Sequence, residues 1–485
     1  LYMNAVQIMT GQGGWPLNVI ALPDGRPFWG GTYFKKRQWI NSLIQIANLH
    51  QNDPGKIEEY AQNLSEGIKT ISLVVPQESN HPFNEDEIVD TLNHWSRYFD
   101  HEYGGPKRAP KFMMPVNLNF LLQYAVLNTH EDLLTYVNLT LTKMAYGGLY
   151  DHVGGGFSRY SVDEKWHVPH FEKMLYDNAQ LVSVYSKAWL VTGNPMYRQV
   201  VKETLSFVER ELYNSDGFFY SSLDADSINA EGKLEEGAYY VWRKTELEAA
   251  LDTDFNLFSE YYNINPFGYW EEAKYVPIRS QSEENLALQF STSAEEISEK
   301  IQHCKKLLFD ERSKRPRPRL DDKTLSSWNA LMITGYCEAY KAFSEPQYLN
   351  IAKKCMAFLQ QKQLQPNGAL FHNYKNGKST IAGFLEDYAI MIEAYLALYP
   401  VTFDESYLTS AKTLALYCFD HFFDETSGMF FFTSDEEEVV LTKTIEKSDN
   451  VIPASNSVMA INLFKLGHYY SNERFIETSK TCAQI

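Results

Sequence analysis

Thiols are few in this chain. Five cysteines, Cys304, Cys337, Cys355, Cys418 and Cys482, are scattered through 485 residues and nowhere spaced Cys-x-x-Cys. That excludes a thiolate metal site and a disulfide framework, and it fits a reducing compartment. Apolar runs are short: none reaches the roughly 18 residues that a bilayer-spanning helix needs, and no signal-peptide pattern opens the chain. Positive charge is also in deficit. The 44 Lys and Arg stand against 62 Asp and Glu, a net charge of −18 at pH 7 spread along the sequence, which argues against nucleic acid and anionic membrane as partners. The one basic cluster, Lys314-Arg-Pro-Arg-Pro-Arg319, is interrupted by prolines and reads as an extended, solvated surface loop. A soluble cytoplasmic protein is expected, with the reservation that the chain opens at Leu1 rather than Met.

What is present is a globular composition, 44% hydrophobic and 14% aromatic, in a length that exceeds one ordinary core. Residues 1–75 differ from the rest. A helical start reaching Met9 precedes Gly11-Gln-Gly-Gly-Trp-Pro16, and apolar runs at Leu17–Leu22 and Pro27–Phe34 flank the turn Pro23-Asp-Gly25. A β-hairpin is therefore expected over 17–34, followed by a helix-rich stretch from Ile40 to about Ile71. Such a unit buries too little to stand alone. From residue 83 the periodicity is helical. It is punctuated by Gly-aromatic loops at Tyr103-Gly-Gly105, Gly147-Gly-Leu-Tyr150, Asp216-Gly-Phe-Phe-Tyr220, Asn367-Gly-Ala-Leu-Phe371 and Ser427-Gly-Met-Phe-Phe431, the mark of a helical-hairpin repeat. Amphipathic stretches near 86–98, 131–146, 195–213, 294–308, 346–362 and 405–422 alternate with more uniformly apolar ones near 114–127, 170–190, 245–262, 325–342, 384–398 and 455–468. Six outer and six inner helices are thus expected to close an (α/α)6 toroid over 83–485, with an insertion near 221–290 that carries the strand-like Ala238-Tyr-Tyr-Val-Trp242.

Polar and ring-bearing side chains are densest in Tyr150-Asp-His-Val-Gly-Gly-Gly-Phe-Ser-Arg-Tyr160 and Trp166-His-Val-Pro-His-Phe-Glu-Lys-Met-Leu-Tyr-Asp-Asn178. In a toroid the starts of inner helices share one mouth. That mouth is expected to gather Asp151, His152, Arg159, Tyr160, His170, Glu172 and Asp177 with Asp224, Asp226, Trp328, Asn329, Glu386, Asp387, Tyr388 and Asn456. Rings stack on the apolar faces of sugars while carboxylates and amides bind hydroxyls, so a small carbohydrate or glycan is the expected ligand. A plainer reading has the histidines bracing the helix start and Asp151 pairing with Arg159 across the loop. His167-Val-Pro-His170 is a poor zinc site, with proline between its histidines and no third ligand, and no metal or cofactor is expected.

Gly11-Gln-Gly-Gly-Trp-Pro-Leu-Asn18, Gly30-Gly-Thr-Tyr-Phe34, Gly154-Gly-Gly-Phe-Ser-Arg-Tyr-Ser161, Val168-Pro-His-Phe-Glu-Lys-Met-Leu-Tyr-Asp-Asn178, Asp224-Ala-Asp-Ser227 and Asp322-Lys-Thr-Leu-Ser-Ser-Trp-Asn329 resemble the YyaL/spermatogenesis-associated protein 20 family. The resemblance implies a thioredoxin-like N-terminal domain joined to a six-hairpin toroid similar to N-acylglucosamine 2-epimerases and six-hairpin glycosidases. It also implies a cis Trp15-Pro16 bond. Members carry a Cys-x-x-Cys upstream of the segment matching Leu1 and continue past the segment matching Ile485, so the sequence resembles a fragment cut at both ends. A redox client protein is then an expected partner only of the complete thioredoxin-like domain. Where members often read Pro-Lys-Phe-Pro, this chain has Pro110-Lys-Phe-Met113.

Two chemistries compete for the mouth. Glycoside hydrolysis needs two carboxyl groups, and Asp226 with Asp387 is the expected pair because each has rings beside it in sequence. Epimerisation needs a base and an acid on opposite faces of a carbon, expected from His170 with Glu172 on one side and His152 or His372 on the other. Other readings are a non-catalytic module that binds a glycan or client protein, and a plain scaffold with a plugged cavity.

Overall fold

In the computed structural model, residues 1–72, 84–438 and 441–484 are described; the expected junction near 75–83 lies outside them. The N-terminal part begins with α1 (Tyr2–Thr10), β1 (Asn18–Ala21), β2 (Pro27–Gly31), α2 (Lys36–Asn52) and α3 (Pro54–Ser72). The strands form the expected antiparallel hairpin, with Asn18 opposite Gly31 and Ile20 opposite Trp29, and Trp15-Pro16 is cis. Helices α1 and α3 pack on β2 around a small core of Ala5, Leu64 and Ile68. Helix α2 buries no residue at all, and Ile40, Leu43 and Ile44 lie exposed along it.

The rest is mainly helical. Helices α4 (Glu85–Trp95), α5 (Pro115–Leu127), α6 (Glu131–Tyr146), α7 (Leu175–Thr192) and α8 (Pro195–Glu211) lead into an excursion holding α9 (Lys244–Leu251), α10 (Phe255–Tyr261), α11 (Glu283–Phe290) and α12 (Ala294–Arg312). The repeat resumes with α13 (Ser326–Phe343), α14 (Pro346–Lys362), α15 (Leu385–Thr402), α16 (Glu405–His421), α17 (Ser455–Tyr470) and α18 (Glu473–Ala483). Burial separates two kinds, as a 3.6-residue period requires. Helix α8 buries one stripe, Tyr197, Val200, Val201, Thr204, Leu205 and Val208. Helix α15 buries nearly every residue from Leu385 to Leu398. The inner helices follow one another as α5, α7, α13, α15 and α17, each packed on the next or, for α5, on α7. Leu175, Ala389 and Met459 are inaccessible and Leu331 nearly so, whereas Trp328 is only partly buried.

Two helices differ from expectation. Residues 245–262 do not form an inner helix: Asp252, at φ 43°, breaks the run, and α7 packs directly on α13. Residues 294–308 are likewise not an outer member of the ring. With α9, α10 and α11, α12 builds a separate apolar cluster around Leu247, Phe258, Tyr261, Leu286 and Ile301. The pattern misled because a helix in a side cluster has the same one-faced burial as one on the ring. Helix α18, packed on α17, is the further outer-type member.

Short ladders hold the loops that precede inner helices. Strands β3 (Lys111–Phe112), β4 (Tyr160–Ser161) and β5 (Pro169–His170) form one; β6 (Lys173–Met174), β7 (Ser222–Leu223) and β12 (Leu320–Asp321) form another. Inside the excursion β8 (Asp226–Ile228) pairs with β9 (Leu234–Glu236), and β10 (Trp242–Arg243) with β11 (Lys274–Tyr275); β13 (Thr324–Leu325) pairs with β14 (Asn373–Lys375). A second device recurs. In the first turn of three inner helices a buried asparagine accepts from one backbone N–H of the preceding Gly-aromatic loop and donates to that residue's carbonyl. The pairs are Asn178 with Phe157, Asn329 with Phe219, and Asn456 with Phe430. In α15 the Tyr388 hydroxyl takes the place, accepting from the Leu370 N–H at 2.7 Å. An amide offers donor and acceptor together, so one side chain satisfies both groups of a buried peptide.

Candidate active site at the starts of the inner helices

The Gly154–Gly156 loop is shaped by close approach. Gly156 has φ +81°, and a Cβ there would lie 2.4 Å from the Phe207 ring. The loop wraps Asp151, whose side chain is only 9% exposed and accepts from Lys173 and Arg312, each at 2.8 Å. Desolvation alone would raise this carboxyl, but the two cations hold it well below the usual range. Asp151 therefore does not pair with Arg159 and serves structure. His152 is also removed from the candidate set. It is buried, its Nε2–H points at the Tyr146 and Gly147 carbonyls, and burial pulls its pKa down to about 3.

Strand pairing brings the next group together. Tyr160 lies opposite His170 across β4 and β5, with the rings stacked at 4.9 Å. Asp226 lies opposite Glu236 across β8 and β9. His170 Nδ1 is 2.7 Å from Glu236, and its Nε2 faces Glu172 at 3.8 Å; the Glu236 hydrogen bond raises the imidazole above its ordinary value. Arg159 binds Glu172 at 3.0 Å and also reaches the Tyr176 hydroxyl. Burial, then the charges of Asp224 and Glu236, push the Asp226 carboxyl up. Asp177 is 1% exposed, with Oδ2 lacking a partner, and desolvation raises it far above 3.8. Asp224 caps the Asp226 N–H and faces Arg319 at 3.8 Å.

A second imidazole stands before α15. His372 Nδ1 is 2.9 Å from Asp387. Burial pulls this ring down, but the hydrogen bond and charge of Asp387 prevail and the net shift is upward. Asp387 itself is fully buried; its Oδ1 accepts from the Ser327 N–H and its Oδ2 from the Phe384 N–H as well as His372. With both oxygens engaged and no exposed surface it cannot meet a substrate, so the Asp226/Asp387 pair is replaced. The neighbouring Glu386 is the half-buried carboxyl, pushed up to about 7 by desolvation and then by Asp387. The two groups connect through rings: Ser327 is followed by Trp328, whose indole meets Tyr176 edge-on at 4.7 Å. Asn329, Tyr388 and Asn456, expected to bind substrate, instead clamp backbone. Among the described residues no group of three His, Cys, Asp or Glu side chains is placed to hold a metal ion, and His167 Nε2 turns to the Gly268 carbonyl at 3.3 Å. Nor is any described helix long and apolar enough to cross a membrane.

Residues 1–69 match the family profile described as "Protein of unknown function, DUF255", labelled Thioredox_DsbH. Over 520 residues, 99% of the chain, the sequence is 32% identical to Uncharacterized protein B0495.5 of Caenorhabditis elegans, covering 70% of that protein. Human spermatogenesis-associated protein 20 is 32% identical over 519 residues, 98% of this chain and 66% of its own length. The chain belongs to the spermatogenesis-associated protein 20 family. It spans about two thirds of the length of these curated relatives, 70% and 66%. Among solved structures, cellobiose 2-epimerase from Bacillus thermoamylovorans superimposes with a TM-score of 0.53 at 12% identity, covering 82% of this chain and 85% of that one. A GH76 alpha-mannanase from Bacteroides thetaiotaomicron gives 0.47 at 14% identity, with 82% and 83% covered. The former likeness establishes the six-hairpin toroid fold in this spermatogenesis-associated protein 20 relative, with a thioredoxin-like segment before it.

In this member of the family, sequence reasoning missed Glu236, Glu446 and Tyr176. The signal for Glu236 was present: Asn229-Ala-Glu-Gly232 is a turn between Ile228 and Leu234, and closing that hairpin sets Glu236 across from Asp226. Glu446, which accepts from the Ser455 N–H and hydroxyl, lies in a stretch without periodicity and had no such signal. The basic cluster is irregular as expected, yet Arg315 is not solvated. It donates to the Tyr239 and Val241 carbonyls and stacks on Trp242 at 4.1 Å.

Proposed function

We propose that this mouth binds the reducing end of a small sugar and moves a proton at the carbon beside its carbonyl, an epimerase-like activity. One observation carries the reading: His170 and His372 each have Nδ1 fixed by a carboxylate, Glu236 and Asp387, which orients the ring and leaves Nε2 without a hydrogen bond, that of His170 standing 3.8 Å from Glu172. In the open-chain sugar one imidazole takes the proton from carbon 2, the electron pair moves into the carbonyl to give an enediolate, and the other imidazole returns a proton on the opposite face. Both rings have pKa values raised above the ordinary one, which suits exchange near neutral pH. Arg159, whose Nε lacks a partner, supplies charge for the enediolate, and the partly buried Trp328, backed by the buried Tyr176, supplies a surface for the sugar ring. The likeness in fold to a cellobiose 2-epimerase is in keeping with this chemistry.

The test uses the protein in D2O with glucose, mannose, N-acetylglucosamine and cellobiose, following deuterium at carbon 2 by NMR. Exchange should appear with at least one sugar and fall at least about 100-fold in His170→Ala and in His372→Ala. Exchange that survives both substitutions, or none with any sugar, refutes the proposal. Cleavage of glycosides instead would favour hydrolysis with Glu386 as the acid; sugar binding without turnover would favour a recognition module, with a redox client as the partner of the complete thioredoxin-like domain.

A further inference from the structure

One cavity lies away from the inner-helix starts gathered above. A groove of about 580 Å³ runs between α8 and α12, with Gly154 and Gly155 at one end. Its walls are two helix faces. Residues 195, 198, 199, 202, 203, 206 and 210 of α8 recur at three- and four-residue steps, as do 298, 302, 305, 306 and 309 of α12. Those faces carry five cations, Arg198, Lys202, Arg210, Lys305 and Lys306, against one lining carboxylate, Glu203. In a chain with 62 acidic and 44 basic side chains, that concentration runs against the whole.

Ion pairing sorts the five. Lys305 is 2.6 Å from Glu203, Arg210 is 2.7 Å from Glu211, and Arg198 is 3.6 Å from Glu345. Lys202 on α8 and Lys306 on α12, one on each wall, have no ion-pair partner among the described residues. Glu203 is held from behind: the Tyr150 hydroxyl donates to it at 2.6 Å, and despite burial Lys305 keeps it ionised. The groove therefore presents two unbalanced ammonium groups backed by three balanced cations, and the cations of α8 extend over roughly 18 Å of helix. Phe309, beneath the Arg210 guanidinium at 4.7 Å, and Pro195 add apolar surface.

We propose that this groove is a binding site for a phosphorylated small molecule, distinct from the sugar-handling mouth. Two free ammonium groups match the charge of phosphoryl oxygens, and the volume lies within the range of small-molecule sites.

Inorganic pyrophosphate is the probe. Calorimetric titration of the whole chain should show saturable binding that weakens as salt rises. The double variant Lys202→Glu/Lys306→Glu should bind at least tenfold more weakly, while Lys233→Glu, an exposed lysine elsewhere, should bind as the unmodified chain does. Because Lys202 and Lys306 are exposed and unpaired, the thermal midpoint of the double variant without ligand should stay put. Absence of pyrophosphate binding, or equal binding by the double variant, overturns the proposal. So does preferential binding of a poly-glutamate peptide, which would make the groove a dock for an acidic protein segment.

Discussion

Replacing Asn329 by alanine strips three hydrogen bonds to backbone, and the weak one that the Cys355 thiol donates to Oδ1, from a position with no exposure. Its Oδ1 accepts from the Phe219 N–H at 2.8 Å, and its Nδ2 donates to the Phe219 and Leu325 carbonyls at 3.0 and 2.9 Å. The Leu325 carbonyl lies at the helix start and keeps its place in the backbone ladder, but the Phe219 peptide has no other partner. Two buried backbone groups are thus orphaned, at about 1–3 kcal/mol each, so the variant should lose about 2–6 kcal/mol. A cooperative unit of roughly 400 residues has a midpoint entropy near 0.8 kcal/mol per kelvin, which converts that loss to about 2–7 °C. Differential scanning calorimetry gives the shift, and hydrogen exchange at the Phe219 amide gives its location. The reasoning fails if the midpoint moves by less than about 1 °C, or if it moves while the Phe219 amide stays as protected as before.

Stability should also depend on pH through Glu386. Its carboxyl is raised from 4.5 to about 7, so the folded state binds a proton that the unfolded state releases, and stability falls as pH rises from about 4.5 to 7. Glu386→Gln should flatten that slope by on the order of 1–3 kcal/mol after allowance for solvent screening; melting curves at pH 4.5 and 7.5 that shift equally in both proteins would refute it. Arg312→Met should cost about 3–5 kcal/mol by leaving Asp151 with Lys173 as its sole ionic partner. In a double-mutant cycle with Asp151→Asn the two losses should fall well short of adding, and strict additivity would show that the pair does not interact.

The repeat was legible because burial imposes its period on sequence: α8 and α15 differ in how many faces are apolar, and that difference is visible in the residues themselves. Asn178, Asn329 and Asn456 show the limit. An asparagine at the first turn of a buried helix reads equally as a sugar ligand or a backbone clamp, and only the position of the preceding loop decides. Asp387 misled for the same reason. Its neighbouring rings suggested a raised, reactive carboxyl, whereas the Ser327 and Phe384 N–H groups and His372 enclose it, and Glu386 one residue earlier turns outward. Proximity across hairpins was recoverable where turn residues set the register, as for Asp226 and Glu236. It was not recoverable for Arg312, whose partner Asp151 lies more than a hundred residues away with no local signature.

The chain leaves the ring at Leu223 and returns at Leu320, and these two residues face each other in one ladder. The departure and return points of the excursion therefore coincide, and the ring contact between α7 and α13 spans the gap without it. Such a geometry lets an appendage be acquired or exchanged over evolutionary time without rebuilding its host. Here the appendage has become a tenant with a key. Arg312 on its last helix closes over Asp151, the residue around which the glycine loop folds before α7, so loosening α12 from its seat would release the same loop that leads into the His170 strand.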